Sequence, residues 1–445
     1  MDNSNFVKNQ RELDKFQRTD LLFNYNTLDH LRPPNLPSKV CIWDETLRDG
    51  EQTPGVSLTI NEKIDIAKLL DEINVDIIAV GYPAVSEDEK IAAKMLTRES
   101  FTHAKIAAPA RTVKLDIDAC IDCDIPEIPI FYPVSELALK LVLRKSYETA
   151  YEDITTAIQY SKDHGIITDF VLMDATRTEF ESLKKFCKVA LEAGADKIVI
   201  ADTVGCMGPI AMRYYIRNLK EYLDTLGGTA ISIHCHNDLG LAHANTLVAI
   251  EEGANYPHVC VNGYGERAGN TPLEELVTSL YFLYGIKTVK LEKLYELANL
   301  VEAYFGLPLS THKAIVGVNS FSHESGLHIH AILSGGPIAI EPFSPKLVGR
   351  ERKFYMGKFS GRSTIKYILK IARIQVTDQE IYEILQRIKH RPGVPTKEES
   401  LKAMKAIKEQ ITRAYSGLNP LEFWNIVEDV TGKRPKDERL YGQVY

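Results

Sequence analysis

KVCIWDETLRDGEQ, residues 39–52, begins as an apolar, β-branched run and breaks into a charged turn containing a glycine. Such a run reads as a buried strand, and the turn after it separates two parallel-sheet architectures. An open doubly wound sheet carries GxGxxG after its first strand, whereas this turn reads ETLRDGEQ. Seven further strand patterns follow: VDIIAV (75–80), HAKIAA (103–108), EIPIFY (127–132), IITDFVLM (166–173), DKIVIAD (196–202), AISIHCH (230–236) and HVCVNG (258–263). Amphipathic stretches of helical period lie between them, such as EFESLKKFCKVALEAG and HANTLVAIEEG, which stop at Gly194 and Gly253. Eight strand–helix units in about 230 residues match the size of a (β/α)8 TIM barrel.

The fold class is therefore α/β, a TIM barrel followed by a mostly α-helical C-terminal region. Four segments are expected: an N-terminal arm (1–38) broken by LRPPNLP, the barrel (39–288), a Gly- and Pro-interrupted linker subdomain (289–362), and a helical subdomain (363–445). Of 445 residues, 44% are hydrophobic and 25% charged, a globular balance that excludes a disordered chain. Lys plus Arg number 53 against 60 Asp plus Glu; the net charge of −7 offers no broad basic surface for nucleic acid or anionic lipid. No apolar run approaches the roughly 18 residues of a membrane helix, and the polar start MDNSNFVKNQ lacks a secretory core. Seven scattered cysteines make no disulfide framework, so a reducing, cytoplasmic setting is expected. Cys120 and Cys123, a lone CxxC, read as two ordinary thiols.

In a barrel, the loops at the C-terminal strand ends build the active site. His234 and His236 lie two apart on the seventh strand and so share one face. Two adjacent imidazoles do not both hold protons cheaply, and a divalent cation resolves that conflict. Asp49 after the first strand, with Asn270 at the same rim, would complete a ligand face that leaves positions open for substrate oxygens. Arg48 reads as a fixed cation over developing enolate or alkoxide charge, or else as a plain ion pair with Glu45 or Glu51. Thr203, after the sixth strand, offers a hydroxyl to a carboxylate or caps the next helix. Gln52 closes the first turn and joins Thr203 and Arg48 among the substrate-binding candidates. Arg111, Arg177 and Arg267 are candidate anchors for a second carboxylate, Arg111 being the one carried forward.

DETLRDGEQTPG, HCHNDLGLAHANT and NGYGERAGNTPLEEL resemble the motifs of a metal-dependent barrel family. That family holds 2-isopropylmalate, homocitrate and citramalate synthases and is related to hydroxymethylglutaryl-CoA lyase; the match spans about residues 40–363. The resemblance implies Asp49, His234 and His236 as ligands of Mn2+, Mg2+, Co2+ or Zn2+, with Asn270 at or beside the metal. It further implies Arg48 as the catalytic arginine and Thr203 as a contact for the 2-oxo acid carboxylate. In HESGLHIH (323–330) it assigns proton transfer to His328, with Glu324 beside it, acting on the partner barrel of a homodimer. From the residues alone, His323, His328 and His330 also suit a second metal site. Pure lyases lack this extension, so its presence favours synthesis.

Several positions depart from the family pattern. Ala79-Val80-Gly81-Tyr82-Pro83 replaces Glu-Ala-Gly-Phe-Pro, and Met173-Asp174-Ala175 replaces Glu-Asp-Ala. Ala138 stands where a histidine is common, and Phe359 interrupts the GKHSGR motif. Ile340 occupies the family tyrosine position, with Tyr355 as a substitute. Intact metal machinery inside an altered substrate shell implies the same reaction on a different 2-oxo acid. The chain also stops where leucine-inhibited relatives continue into a regulatory domain, so feedback inhibition of that kind is not expected. Together with the long arm, these features resemble the citrate (Re)-synthases of this family. The expected reaction condenses acetyl-CoA with oxaloacetate to citrate and CoA. The alternatives are homocitrate synthesis from 2-oxoglutarate, or isopropylmalate or citramalate synthesis. Readings of other classes are a carbon–carbon lyase or aldolase and a non-catalytic 2-oxo acid sensor, which has no need of the Arg48–Asp49 pair.

Overall fold

The computed structural model describes residues 21–390, 397–414 and 420–433; the start of the expected arm and the last twelve residues of the helical subdomain lie outside them. The barrel is built from β1 (Trp43–Asp44), β2 (Ile77–Ala79), β3 (Lys105–Ala107), β4 (Ala110–Arg111), β5 (Glu127–Pro133), β6 (Ile167–Met173), β7 (Lys197–Asp202), β8 (Ala230–Cys235) and β9 (Tyr256–Val259). All pair in parallel, β1 lies between β2 and β9, and β5 pairs with both β3 and β4, so the sheet closes. Pro109 supplies no N–H to a ladder, and it lies between β3 and β4, which form one interrupted stave. Eight staves result, as the sequence rhythm predicts.

The first strand is shorter than the apolar run suggests. Ile42 still accepts the N–H groups of Asp76 and Ile77, and Cys41 donates to Asn255, but ladder pairing is confined to Trp43 and Asp44. Strands covered on both faces read as nearly continuous apolar runs. β7 is apolar from Ile198 to Ala201 and buried throughout, its two charges, Lys197 and Asp202, standing at its ends.

The returning helices are α1 (Ile60–Glu72), α2 (Glu87–Arg98), α3 (Lys114–Ile121), α4 (Tyr147–Asp163), α5 (Phe180–Glu192), α6 (Pro209–Thr225), α7 (Ala242–Glu251) and α8 (Leu273–Tyr284). Thr59 and Glu62 form a capping box that starts α1, and the hydroxyls of Ser86 and Ser146 cap α2 and α4. Gly194 and Gly253 follow the ends of α5 and α7 at φ +104 and +108, as their place in the sequence suggests.

The core does not stop at residue 288. Helix α9 (Leu294–Phe305) contributes Leu294, Leu297, Val301 and Phe305 to the barrel's own hydrophobic core, and the Tyr304 hydroxyl reaches Asp65 on α1 at 2.8 Å. Beyond it, the short parallel pair β10 (Ser322–His323) and β11 (Lys353–Phe354) brackets α10 (Gly326–Gly335). Helices α11 (Arg362–Ile371), α12 (Asp378–Lys389), α13 (Lys397–Ala414) and α14 (Pro420–Thr431) complete the expected helical region. Cys120 and Cys123 are buried free thiols, and among the described residues no helix is long and apolar enough to cross a membrane.

Candidate metal and substrate site

A cavity of about 230 Å³ opens among the C-terminal strand ends. It is lined on one side by Arg48, Asp49, Gln52, His234, His236 and Thr203, and across the barrel by Ala79, Tyr82, Pro109, Phe131, Val171 and Met173.

Strand alternation turns His234 and His236 inward while Cys235 joins the outer core between sheet and helices. The Nε2 atoms of the two histidines lie 3.3 Å apart, and both face Asp49 Oδ2, at 3.3 Å and 3.9 Å. A point equidistant from these three atoms is about 2 Å from each, the length of a metal–imidazole bond. All three residues are buried. Asn270 pairs with His236 across an isolated bridge and gives its amide N–H to the Tyr264 carbonyl, while its buried carbonyl oxygen has no partner among the described residues. Two imidazoles, a carboxylate and a free amide oxygen thus form a donor set of lone pairs without enough protons, which suits a divalent cation. The loop that brings Asn270 in depends on Gly265: at φ +150 a Cβ there would lie 2.1 Å from the Asn270 amide nitrogen.

Electrostatics prepare the same state. Burial works against the Asp49 carboxylate, but Arg48, followed by His234, holds it well below the usual range. Burial, reinforced by His234, lowers His236 to about 4, so its imidazole is neutral at pH 7 and has a lone pair to give. Arg48 donates through Nε to Glu45 at 2.7 Å and through Nη1 to Asp49 at 3.0 Å, which aims the rest of its fork at the cavity. The ion pair with Glu45 and the place beside Asp49 therefore coexist.

Sequence reasoning gave Glu45 no role beyond that pair and left His258 unassigned. Glu45 is held at about 2 despite burial, chiefly by Arg48, and its other oxygen lies 2.9 Å from His258 Nδ1. His258 stacks on Trp43 at 4.8 Å, is lowered to about 4 by burial, and forms a second convergent group with Glu45 and His234. Its place at the head of the eighth strand pattern, HVCVNG, was the available signal.

The other candidates separate. Gln52 and Thr203 line the cavity, Thr203 accepting the Asp174 N–H at 2.8 Å through its hydroxyl. Arg111 does not line it; its guanidinium makes two bonds to Asp116 on α3, at 2.6 and 2.8 Å. Arg177 and Arg267 make the same kind of fork with Asp174 and Asp238. His328 and Glu324 lie on the C-terminal segment and outside this cavity. Glu324 accepts the Phe359 N–H at 3.2 Å, and His328 sits edge-on to His323, 6.3 Å between ring centres. His323 is in turn fixed by the buried Glu341–Arg352 pair, whose carboxylate lies 3.0 Å from its Nε2.

Fold and site together define a parallel (β/α)8 barrel in which two histidines and an aspartate converge at the C-terminal rim. The HMGL-like family matches residues 39–301, and the homocitrate synthase post-HMGL domain-like family matches residues 315–393. The chain belongs to the HMGL-like family, on the branch that carries the second domain. It is 44% identical over 411 residues to a 2-isopropylmalate synthase of Methanocaldococcus jannaschii, covering 91% of this chain and 74% of that one. It is 44% identical to homocitrate synthase AksA of Methanopyrus kandleri (81% and 89% covered) and 41% identical to (R)-citramalate synthase CimA of M. jannaschii (79% and 70% covered). Among solved structures, hydroxymethylglutaryl-CoA lyase from Pseudomonas aeruginosa superposes with a TM-score of 0.56 at 20% identity, covering 62% of this chain and 95% of that one. That likeness bears on the fold.

Proposed function

We propose that this chain is an acyltransferase that condenses acetyl-CoA with a 2-oxo acid in a metal-dependent Claisen reaction. The observation that carries the reading is the convergence of Asp49, His234 and His236 beside Arg48 in one cavity. When bound there, a divalent cation would supply Lewis acidity toward the keto and carboxylate oxygens of the acid. Thr203 and Gln52 line the same end of the cavity and orient the carboxylate. His328, with Glu324 on the same segment, takes a methyl proton from acetyl-CoA, and the resulting carbanion forms the new bond to the keto carbon. Arg48 stabilises the oxygen that gains negative charge. Water then cleaves the thioester and frees CoA. Because His328 stands outside the cavity, we assign it to the barrel of a second copy in a homodimer.

Which acid is used is the finer question. The relatives are named for isopropylmalate, homocitrate and citramalate, none of those quoted is a citrate synthase, and this ranks the alternatives ahead of oxaloacetate. The apolar wall across the cavity favours the monocarboxylic acids pyruvate and 2-oxoisovalerate over oxaloacetate and 2-oxoglutarate, since it offers a second carboxylate no free cation among the described lining residues. One observation keeps oxaloacetate as a second reading: identity is almost equal, 41–44%, to three different product classes, so the chain sits squarely in none of them.

The deciding experiment is thiol release from acetyl-CoA with pyruvate, 2-oxoisovalerate, 2-oxoglutarate and oxaloacetate in parallel, with product identification. Release with one acid supports the reading. Cleavage of the hydroxy-acid product without acetyl transfer would make the chain a lyase, and ligand binding without thiol release would make it a sensor.

A further inference from the structure

The wall facing the cation site is apolar apart from Tyr82, and Tyr82 does not offer its hydroxyl to the cavity. That hydroxyl donates to Asp116 Oδ2 at 2.6 Å. The same buried carboxylate accepts the Arg111 backbone N–H at 3.1 Å and its guanidinium at 2.6 and 2.8 Å, so its charge is balanced and its position fixed. Tyr82 is also gripped at its backbone, where its N–H donates to Glu89 at 3.1 Å. Glu89 pairs with the fully buried Lys63, which reaches Glu51 on the first-strand turn at 2.6 Å. The ring between these two anchors meets Phe131 edge-on at 6.1 Å.

An aromatic held at both ends has no low-cost way to swing aside. A 2-oxo acid whose C1 carboxylate and C2 oxygen lie at the Asp49–His234–His236 end must project its C3 substituent across the cavity toward this ring. We propose that Tyr82, locked by Asp116 and Glu89, is the specificity-determining residue that sets how long a side chain the 2-oxo acid carries. The inference rests on the acyl-transfer reading for its substrate class, but binding alone tests it.

The full-length, Mn2+-loaded chain is titrated calorimetrically with pyruvate, 2-oxobutyrate, 2-oxoisovalerate, oxaloacetate and 2-oxoglutarate, and thiol release from acetyl-CoA is followed in parallel. Tyr82→Ala is expected to shift the affinity ratio of longer to shorter acids by about ten-fold toward the longer, the discrimination of one methylene. Tyr82→Leu serves where the alanine variant does not fold. Tyr82→Phe keeps the ring and is expected to preserve the rank order while narrowing it a few-fold. Unchanged ratios in a folded Tyr82→Ala or Tyr82→Leu overturn the inference, as does an equal loss for every acid, which marks a merely structural residue. Binding with the expected shift but no thiol release supports the inference and instead removes the acyl-transfer reading.

Discussion

Two buried charge clusters occupy opposite ends of the barrel, and they are built to different purposes. At the N-terminal strand ends, Lys197 on β7 pairs with Glu127 on β5 and with Asp169 on β6 at 3.0 Å. The ammonium also lies over the rings of Trp43 and Tyr256, at 5.7 and 5.3 Å. Two carboxylates share one cation there, and burial, with Glu127 as neighbour, raises Asp169, so a retained proton balances the set. The cluster is closed. At the C-terminal ends, Arg48 likewise serves two carboxylates, but His234 and His236 crowd the same Asp49 oxygen, and the Asn270 carbonyl beside them has no hydrogen-bond partner among the described residues. We read the cluster left open toward one point in space as a binding site and the closed one as a clamp that holds staves together.

The largest effect should come from the open end. Chelator treatment is expected to abolish thiol release, with Mn2+, Mg2+, Co2+ or Zn2+ restoring it. Asp49→Ala or His234→Ala should remove the metal-induced rise in melting temperature, which a tight site makes worth about 2.7 kcal/mol at a hundredfold excess over Kd. Full activity in a rigorously metal-free preparation would break the contrast between the two clusters.

This end was largely legible in the sequence, because a period of two places His234 and His236 on one face whatever the tertiary structure. Arg48 and Asp49 followed from a strand end that is not a phosphate loop. The barrel itself followed from the count of strand patterns. What stayed hidden depends on long-range packing. That Glu45 meets His258, or that Arg111 turns onto Asp116 rather than toward the cavity, is fixed by which staves become neighbours. The core boundary past residue 288 was hidden for the same reason, since α9 looks like any amphipathic helix until α1 is beside it.

At the closed end, Lys197→Met should cost about 3–5 kcal/mol of stability, because it leaves the buried Glu127–Asp169 pair without its cation. Urea denaturation measures it, and metal affinity of the surviving folded fraction should hardly change. If instead metal affinity collapsed while stability held, the division of labour between the two ends would be wrong. Arg48→Ala is the companion experiment: a loss of about 10²–10³ in kcat, about 2.7–4 kcal/mol of transition-state stabilisation, measured where the variant is still folded, with a lowered melting temperature because Glu45 and Asp49 stay buried without their cation.

The smallest effect sharpens the contrast at a second point of the N-terminal end. Asp71 lies in the last turn of α1, where a negative charge opposes the helix dipole, so its reason for being there is sought elsewhere. Its carboxylate accepts the backbone N–H groups of Thr102, His103 and Ala104 at 2.7–2.9 Å and the Thr102 hydroxyl at 3.0 Å, fixing the chain as it enters β3. Burial works against the charge, but these N–H donors, Ala104 first, lower Asp71 below the ordinary aspartate value. A depressed carboxylate contributes stability that is present above the unfolded pKa near 4 and is lost as pH falls through the folded one. Asp71→Ala should therefore cost about 1–3 kcal/mol at neutral pH and less in acid, where the parent has already lost the same contribution. Melting curves of both proteins between pH 7 and pH 3 should converge; curves that stay parallel would assign the cost to packing rather than to charge.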